Sequence, residues 1–301
     1  MSNALIKYAG RIGGSFWEFI PTRIRVRRPV RNLGDWIHLL SRKFGDRNQS
    51  ISTWFLRNRP SLLTIMDLVN ANFPAGSSLR LCVVGCSTGA ELYSVLWTLR
   101  KARPDLQIFS LGMDISQPAV EKARNGRYLQ DGAEIRGGIM HPLAVPVLSE
   151  DSLLELFVRR GEEFEIKQWI ADGAEWKVAD ARDPHTISEL GLFDIVLANN
   201  FLIHMKESEA TDCLYKVAKL VKPNGFLICR GVDLSIREQV ARQLNLKPIP
   251  SRIEEIHNAD GAIDAQLDWP WKYWGLEPMD KTRKNWIQRY ATVFQVPPSP
   301  I

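Results

Sequence analysis

Between Ser78 and Glu91 the chain reads SLRLCVVGCSTGAE, and no other stretch restricts the fold as strongly. A short, almost wholly apolar run that ends in glycine predicts a strand buried on both faces, the kind found in parallel sheets. The loop Gly85-Cys86-Ser87-Thr88-Gly89 follows. Ala90–Lys101 then predicts a helix, with Leu92, Val95, Leu96 and Leu99 on one side. Strand, tight loop and helix in that order open a β-α-β unit. Gly85 and Gly89 allow the backbone to turn sharply and to approach a ligand closely. The loop is not the G-x-G-x-x-G fingerprint of dinucleotide binding, because Cys86-Ser87-Thr88 separates the glycines. It is not a phosphate-cradling P-loop either, since no Gly-Lys-Ser/Thr follows.

The pattern recurs downstream. Leu106–Met113 predicts a second strand that ends at Asp114, and Gln117–Asn125 a helix stopped by Gly126. Glu175–Ala179, Phe193–Ala198 and Gly225–Cys229 predict three more short strands, the last after a turn at Pro223-Asn224-Gly225. Helices are expected at about Glu207–Val221 and Leu234–Leu244, and Tyr290–Val296 as an antiparallel edge strand. Such alternation predicts a doubly wound α/β fold, a mostly parallel sheet covered on both faces. Residues 129–174 are too long for one crossover helix. With a helix candidate at Ser149–Arg159 and an alternating run at Phe164–Ile170, they predict a small inserted subdomain. The expected organisation is a basic N-terminal arm with a short helix (Asp35–Phe44) in residues 1–50, then one domain over 51–301. Its residues 245–287 form a Trp-rich cover.

Composition narrows the function classes. With 45% of 301 residues apolar, the chain can bury a large core. No stretch approaches the roughly 18 to 20 apolar residues of a membrane span, and no secretory signal pattern is visible. Cys82, Cys86, Cys213 and Cys229 lack metal-ligand spacing, so no metal site is expected, and a reducing cytoplasm fits them. The net charge of +5 is unevenly placed: residues 1–31 hold Lys7, Arg11, Arg23, Arg25, Arg27, Arg28 and Arg31 against Glu18 alone. Residues 11–31 interleave these charges with Phe16, Trp17, Phe19 and Ile20. Such an arm either packs its aromatics on the main body or meets an anionic membrane surface or acidic partner. No motif turns the charge cluster into a nucleic-acid site. The sequence carries no signal for oligomeric state.

Ligands of doubly wound sheets bind beyond the carboxyl ends of the strands. At those ends stand Gly85, Ser87, Gly89 and Glu91, then Asp114 and Ile115, then Asp180, then Asn199 and Asn200. Asp114 can accept hydrogen bonds from both ribose hydroxyls of an adenosine, or can cap the following helix, a role also open to Ser116. Asp180 can accept from an adenine amino group, or can be a solvated acid beside Arg182. Two adjacent amides at a buried strand end must be satisfied by a ligand or a loop. Together these ends point to adenosine without a pyrophosphate, which favours S-adenosylmethionine over NAD.

These residues resemble a known family, the CheR-type methyltransferases, which methylate glutamate side chains of bacterial chemoreceptors. The similarity runs from about Thr53 to Val232. It is carried by Thr53-Trp54-Phe55-Leu56-Arg57, by Gly85–Ser94, by Met113-Asp114-Ile115-Ser116 and by Ala123–Tyr128. Phe193–Asn200 and Lys222-Pro223-Asn224-Gly225 complete it. The resemblance implies a seven-stranded, Rossmann-like class I fold and places 129–174 where that family carries a small β-subdomain. It implies cofactor contacts from Thr53, Arg57, Glu91, Asp114, Asp180, Asn199 and Asn200, with Arg57 near the transferred methyl. The sequence departs from the family at Asn199, usually arginine, and at His204, usually tyrosine. The family's long helical N-terminal domain is not recognisable in residues 1–50.

Arg57 is therefore the candidate holder of a carboxylate acceptor, and His204 the candidate base or orienting group for a hydroxyl or amine. A histidine at a helix start with a purely structural hydrogen bond is the other reading of His204. The expected activity is methyl transfer to an oxygen or nitrogen of a small-molecule or saccharide acceptor. The aromatic run Leu267–Leu276, with Trp269, Trp271 and Trp274, either caps the acceptor pocket or is only a structural cover. A CheR-type protein carboxyl methyltransferase and a non-catalytic cofactor- or partner-binding module are the alternatives.

Overall fold

Among the described residues, ten strands run in chain order: β1 (Ser78–Val84), β2 (Gln107–Asp114), β3 (Arg127–Leu129), β4 (Phe157–Arg160), β5 (Glu163–Ile166), β6 (Ala174–Val178), β7 (Phe193–Leu197), β8 (Val221–Ile228), β9 (Lys247–Pro248) and β10 (Val293–Gln295). The longer helices are α1 (Arg28–Phe44), α2 (Arg59–Asn72), α3 (Ala90–Ala102), α4 (Gln117–Asn125), α5 (Glu207–Ala218) and α6 (Leu234–Gln243). The structure, a computed structural model, describes residues 17, 20–25, 27–44, 52–137, 148–259, 269–270 and 275–298.

Seven strands form one sheet in the order β6-β2-β1-β7-β8-β10-β9. β1 pairs in parallel with β2 and β7, β2 with β6, and β7 with β8. β10 is antiparallel to both β8 and β9. The chain therefore winds outward from β1 in two directions and leaves its switch point between β1 and β7, where crevices open in such sheets. The apolar run of β1 serves both faces by the two-residue alternation of a strand. Leu79, Leu81 and Val83 pack with Leu92, Leu96 and Leu99 of α3, whereas Cys82 and Val84 pack with Leu214 and Val217 of α5. Cys82, Cys86, Cys213 and Cys229 are free and buried, and burial holds each thiol well above its usual range.

A second, three-stranded sheet in the order β3-β5-β4 follows α4 and is antiparallel throughout. It is joined to the main body by an aromatic cluster: Phe55 meets Tyr128 and Phe157 edge-on at 4.9 and 4.7 Å between ring centroids.

Several local expectations shift. The helix expected over Ser149–Arg159 stops at Leu156, because Phe157–Arg160 pairs with β5 instead. The alternating run keeps strand form only to Ile166 and then turns into a short helix, Gln168–Ala171. The turn at Pro223-Asn224-Gly225 lies inside β8, where Asn224 has φ 63° and the β7–β8 register shifts. β10 is not the edge strand, since the two-residue β9 pairs outside it. Helix α1 begins at Arg28, seven residues before the expected Asp35, with Pro29 in its first turn.

The N-terminal segment, as far as it is described, packs on the C-terminal one. Trp17 meets Trp269 edge-on at 5.5 Å, and His38 Nδ1 lies 2.9 Å from the carbonyl of Pro270. Arg31 is buried and donates to the Pro278 carbonyl at 2.6 Å. It lies 3.6 Å from Glu277, a buried carboxylate that also accepts from Arg289 and Tyr290. Of the Trp-rich run, Trp271 and Trp274 lie outside the described residues, as do Lys7, Arg11, Phe16 and Phe19. Among the described residues no helix is long and apolar enough to cross a membrane.

Candidate functional site

A cleft open to solvent lies at the carboxyl ends of β1, β2, β6 and β7. Thr53, Arg57, Gly85, Ser87, Glu91, Asp114, Ile115, Asp180, Asn199, Asn200 and His204 all line it. Of the residues expected there, Gly89 is the exception. A Cβ on Gly89 would stand 2.8 Å from the Ala123 Cβ and 2.7 Å from the Trp176 ring, so this glycine serves packing between α3, α4 and β6.

The loop after β1 is shaped by left-handed residues. Gly85, Ser87 and Gly89 have φ of 72°, 49° and 87°. For Ser87 this conformation is costly and must be held by its surroundings. Asp114 does so: its Oδ2 accepts from the Ser87 amide at 2.8 Å, and its Oδ1 accepts from the Ser116 amide at 2.9 Å. The β2 end is tied back as well, through Gly85 and Cys86 amides on the Met113 carbonyl at 2.8 and 2.9 Å. Capping of α4 falls to Ser116, whose hydroxyl accepts from Ala119, so Asp114 is not the cap. A carboxylate offers about four lone-pair directions, so each Asp114 oxygen retains one for a ligand hydroxyl. Gly85 also makes room for Phe201, whose ring a Cβ at Gly85 would meet at 2.7 Å.

On the far side of the cleft, Asn199 is buried and held at both ends of its amide. Its Nδ2 donates to Glu91 Oε1 at 2.7 Å and its Oδ1 accepts from the Arg230 amide at 2.8 Å. Arg230 Nη2 reaches the same Glu91 oxygen at 3.3 Å, both groups being largely buried. Protein groups thus engage both ends of the Asn199 amide. Asn200, with φ 61°, is pressed between the cleft and Gly231.

Asp180 is half-exposed and bound to Arg182: Nε lies 3.0 Å from both its oxygens and Nη2 lies 2.7 Å from Oδ2. That hydrogen-bonded guanidinium holds the Asp180 carboxyl below its usual range. A ligand amino group would share Asp180 with Arg182 rather than find it alone.

Arg57 stands in a segment bent by two left-handed residues, Leu56 and Asn58, both at φ 54°. Each bend is pinned. The Leu56 amide donates to Ser94 Oγ at 2.8 Å, and Asn58 donates to the Ile256 carbonyl at 2.8 Å while capping α2 through Ser61. The Arg57 guanidinium lies over the Trp54 ring at 4.1 Å, a cation–π contact that fixes its plane. His204 ends a single 3-10 turn, Leu202–His204, that follows Phe201 into the cleft wall.

Sequence reasoning missed Arg230 and Phe201, whereas Arg182 stands beside Asp180 as one of its readings had it. Phe201 directly follows the asparagine pair, and Arg230 stands just past the end of β8, so the ends of β7 and β8 held the signal. Trp269, in the run read either as a cap of the acceptor pocket or as a structural cover, is buried against Trp17 and Gly34.

The donor set fits an adenosyl ligand. It offers a carboxylate with spare lone pairs at the β2 end, a second acid at the β6 end, and Glu91 at the start of α3. In the loop after β1, the amides of Gly85, Cys86, Ser87 and Gly89 all donate within the protein, unlike a phosphate-cradling loop, whose amides point at the ligand.

Comparison with known proteins bears on the same residues. The family model for the CheR methyltransferase, SAM binding domain, matches residues 52–243, well over half of the chain. The probable biofilm formation methyltransferase WspC of Pseudomonas aeruginosa is 23% identical over 198 residues, covering 64% of this chain and 43% of that protein. The chain thus spans less than half the length of that relative. Chemotaxis protein methyltransferase 1 of the same organism is 23% identical over 248 residues, covering 74% of this chain and 84% of that protein. Among solved structures, an O-methyltransferase family protein from Burkholderia thailandensis aligns at 15% identity with a TM-score of 0.39, over 93% of this chain and 63% of the other. Magnesium protoporphyrin IX methyltransferase from Synechocystis, with bound SAM, aligns at 16% identity and a TM-score of 0.37, over 64% and 71%. By the extent of the family match, the chain belongs to the CheR methyltransferase family, through its SAM-binding domain.

Proposed function

We propose that this protein is an S-adenosylmethionine-dependent methyltransferase whose acceptor is a carboxylate, carried on the side chain of another protein. The observation that carries this reading is the presence of Arg57 in the same cleft as Asp114 and Glu91, with its guanidinium plane already fixed on Trp54. When bound, the sulfonium cofactor supplies both the methyl group and the leaving group. Asp114 would hold the ribose hydroxyls. Glu91, whose Oε1 is taken by Asn199 and Arg230, would offer Oε2 to the cofactor's amino group. Arg57 would orient the acceptor oxygen by charge-assisted hydrogen bonds, and a carboxylate needs no base to be methylated. The similarity to chemotaxis protein methyltransferase 1 and the small β3-β5-β4 sheet, joined to the Arg57 segment through Phe55, support a protein acceptor.

A second reading, a hydroxyl or amine of a small molecule or saccharide, is favoured by His204 in the cleft. Histidine titrates near neutrality and would accept the proton that such an acceptor must lose. The buried position of Trp269 removes one of the aromatic walls this reading relied on.

The two separate in one assay. Protein is incubated with methyl-tritiated S-adenosylmethionine and a mixture of protein and small-molecule acceptors. Label on protein that is released by mild base as volatile methanol is a carboxyl ester and supports the first reading. It should disappear in Arg57→Ala and persist in His204→Phe. Base-stable label in the small-molecule fraction, lost in His204→Phe, would replace the first reading with the second.

A further inference from the structure

A helix on a protein surface ordinarily buries its apolar stripe and shows water its polar one. Helix α1 does the reverse. At 100° per residue, Arg31, Gly34 and His38 share one face, and Leu33, Trp36, Ile37 and Leu40 share the opposite one. The first face is the one packed on the protein: Arg31 and His38 are buried, the former against Glu277 and Pro278, the latter against Pro270. Gly34 lies against the rings of Trp269 and Trp17. The other face is open, with Leu33 at 50% and Trp36 at 57% exposure and Leu39 beside them at 52%. Ile24, in the short helix just before, adds 40%.

Charge accompanies this surface. Residues 22–44 hold Arg23, Arg25, Arg27, Arg28, Arg31, Arg42 and Lys43 against Asp35 alone, more than the whole chain's net charge of +5. Arg27 and Arg28 are exposed, and Arg31 is spent internally on Glu277. A contiguous apolar face flanked by cations marks an interaction site. A second copy docking through the same face would bring two such cation clusters together, which disfavours self-association. An anionic lipid surface is complementary to both features: leucines and a tryptophan enter the headgroup–acyl boundary while arginines meet lipid phosphates.

We propose that α1 is an interfacial anchor, which lays its Leu33–Trp36–Leu40 face into the surface of an anionic membrane while its Arg31–His38 face stays locked to the protein. The rest of the chain is then tethered to that membrane through the Arg31 contacts with Glu277 and Pro278.

Co-sedimentation of the full chain with vesicles tests this. Wild type is expected to pellet with phosphatidylcholine vesicles containing phosphatidylglycerol, not with phosphatidylcholine alone, and to be released by high salt. Leu33→Ser/Trp36→Ser should abolish pelleting, and Arg27→Glu/Arg28→Glu should weaken it by about tenfold or more. Calorimetric binding of S-adenosylhomocysteine, or a thermal melt where that ligand does not bind, checks that each variant is folded. The charge-reversal pair, being exposed, keeps the test alive if the apolar pair fails to fold. Wild type remaining in the supernatant with anionic vesicles, or both variants pelleting like wild type, overturns the proposal. So does sedimentation equilibrium showing a dimer that Leu33→Ser/Trp36→Ser dissociates while vesicles bind neither form.

Discussion

The side-chain amide of Asn199 ties the helix after the glycine loop to the far half of the sheet, donating to Glu91 Oε1 at 2.7 Å and accepting from the Arg230 amide at 2.8 Å. Asn199 therefore sets the position and charge partner of Glu91. Replacing it with aspartate keeps the shape but sets a carboxylate against a carboxylate, which disfavours having both ionised. Asn199→Asp should lose at least about tenfold in affinity for S-adenosylhomocysteine at slightly alkaline pH. Lowering the pH should restore part of that, because the introduced carboxyl, once protonated, again donates to Glu91. Calorimetry across pH checks both signs. Unchanged affinity at alkaline pH would mean that Glu91 does not depend on the bridge.

Gly231 supports the neighbouring Asn200. Its φ is 58°, and an added Cβ would stand 2.7 Å from the Asn200 Cα. The Gly275 backbone closes the other side, where a Cβ would approach the Gly231 Cα to 2.9 Å. Gly231→Ala should cost about 1 to 3 kcal/mol by overpacking, lower the melting temperature and weaken ligand binding by moving Asn200. A melt and a titration on the same sample read both effects.

Glu277 sets the acid limit of the N- to C-terminal contact. Burial alone would raise its pKa, but hydrogen bonds and charge from Arg289, with Tyr290 and Arg31 adding to them, outweigh it and hold the carboxyl at about 2 instead of 4.5. A carboxyl whose folded pKa is depressed contributes stability that is complete above the unfolded value and fades as pH falls toward the folded one. Stability should therefore decline between about pH 4.5 and 2, and Glu277→Gln should flatten that part of the curve. At neutral pH the same variant should be less stable by about 3 to 5 kcal/mol, since buried Arg31 and Arg289 lose their counter-charge. Denaturant titrations at several pH values measure both.

The sheet was legible because its strands are short apolar runs with polar or glycine ends, and because a residue at a strand end needs no tertiary knowledge to be found. Asp114 and Asn199 were identified in this way. What was not legible depended on distant partners. Asn199 is satisfied by a residue 108 positions away, and Phe157–Arg160 follows directly on a helical pattern but is claimed by β5. The two residues of β9 carry no periodicity of their own, so the place of β10 inside the sheet could not be foreseen. Helix α1 reaches back past its expected start to Arg28, with Pro29, a residue well suited to a first turn, following it. Trp269 advertised a pocket wall but fills the space that Gly34 leaves against α1.

The central claim, an adenosyl-binding cleft organised by Asp114, is tested most directly by calorimetric titration of S-adenosylmethionine and S-adenosylhomocysteine into wild type and Asp114→Ala, with NAD as control. Asp114 both faces the ligand and holds the Ser87 loop, so the account predicts micromolar binding of the two adenosyl ligands, none of NAD, and a loss of about tenfold or more in the variant. Absence of binding by folded wild-type protein, or an Asp114→Ala variant that binds as wild type does, would contradict it.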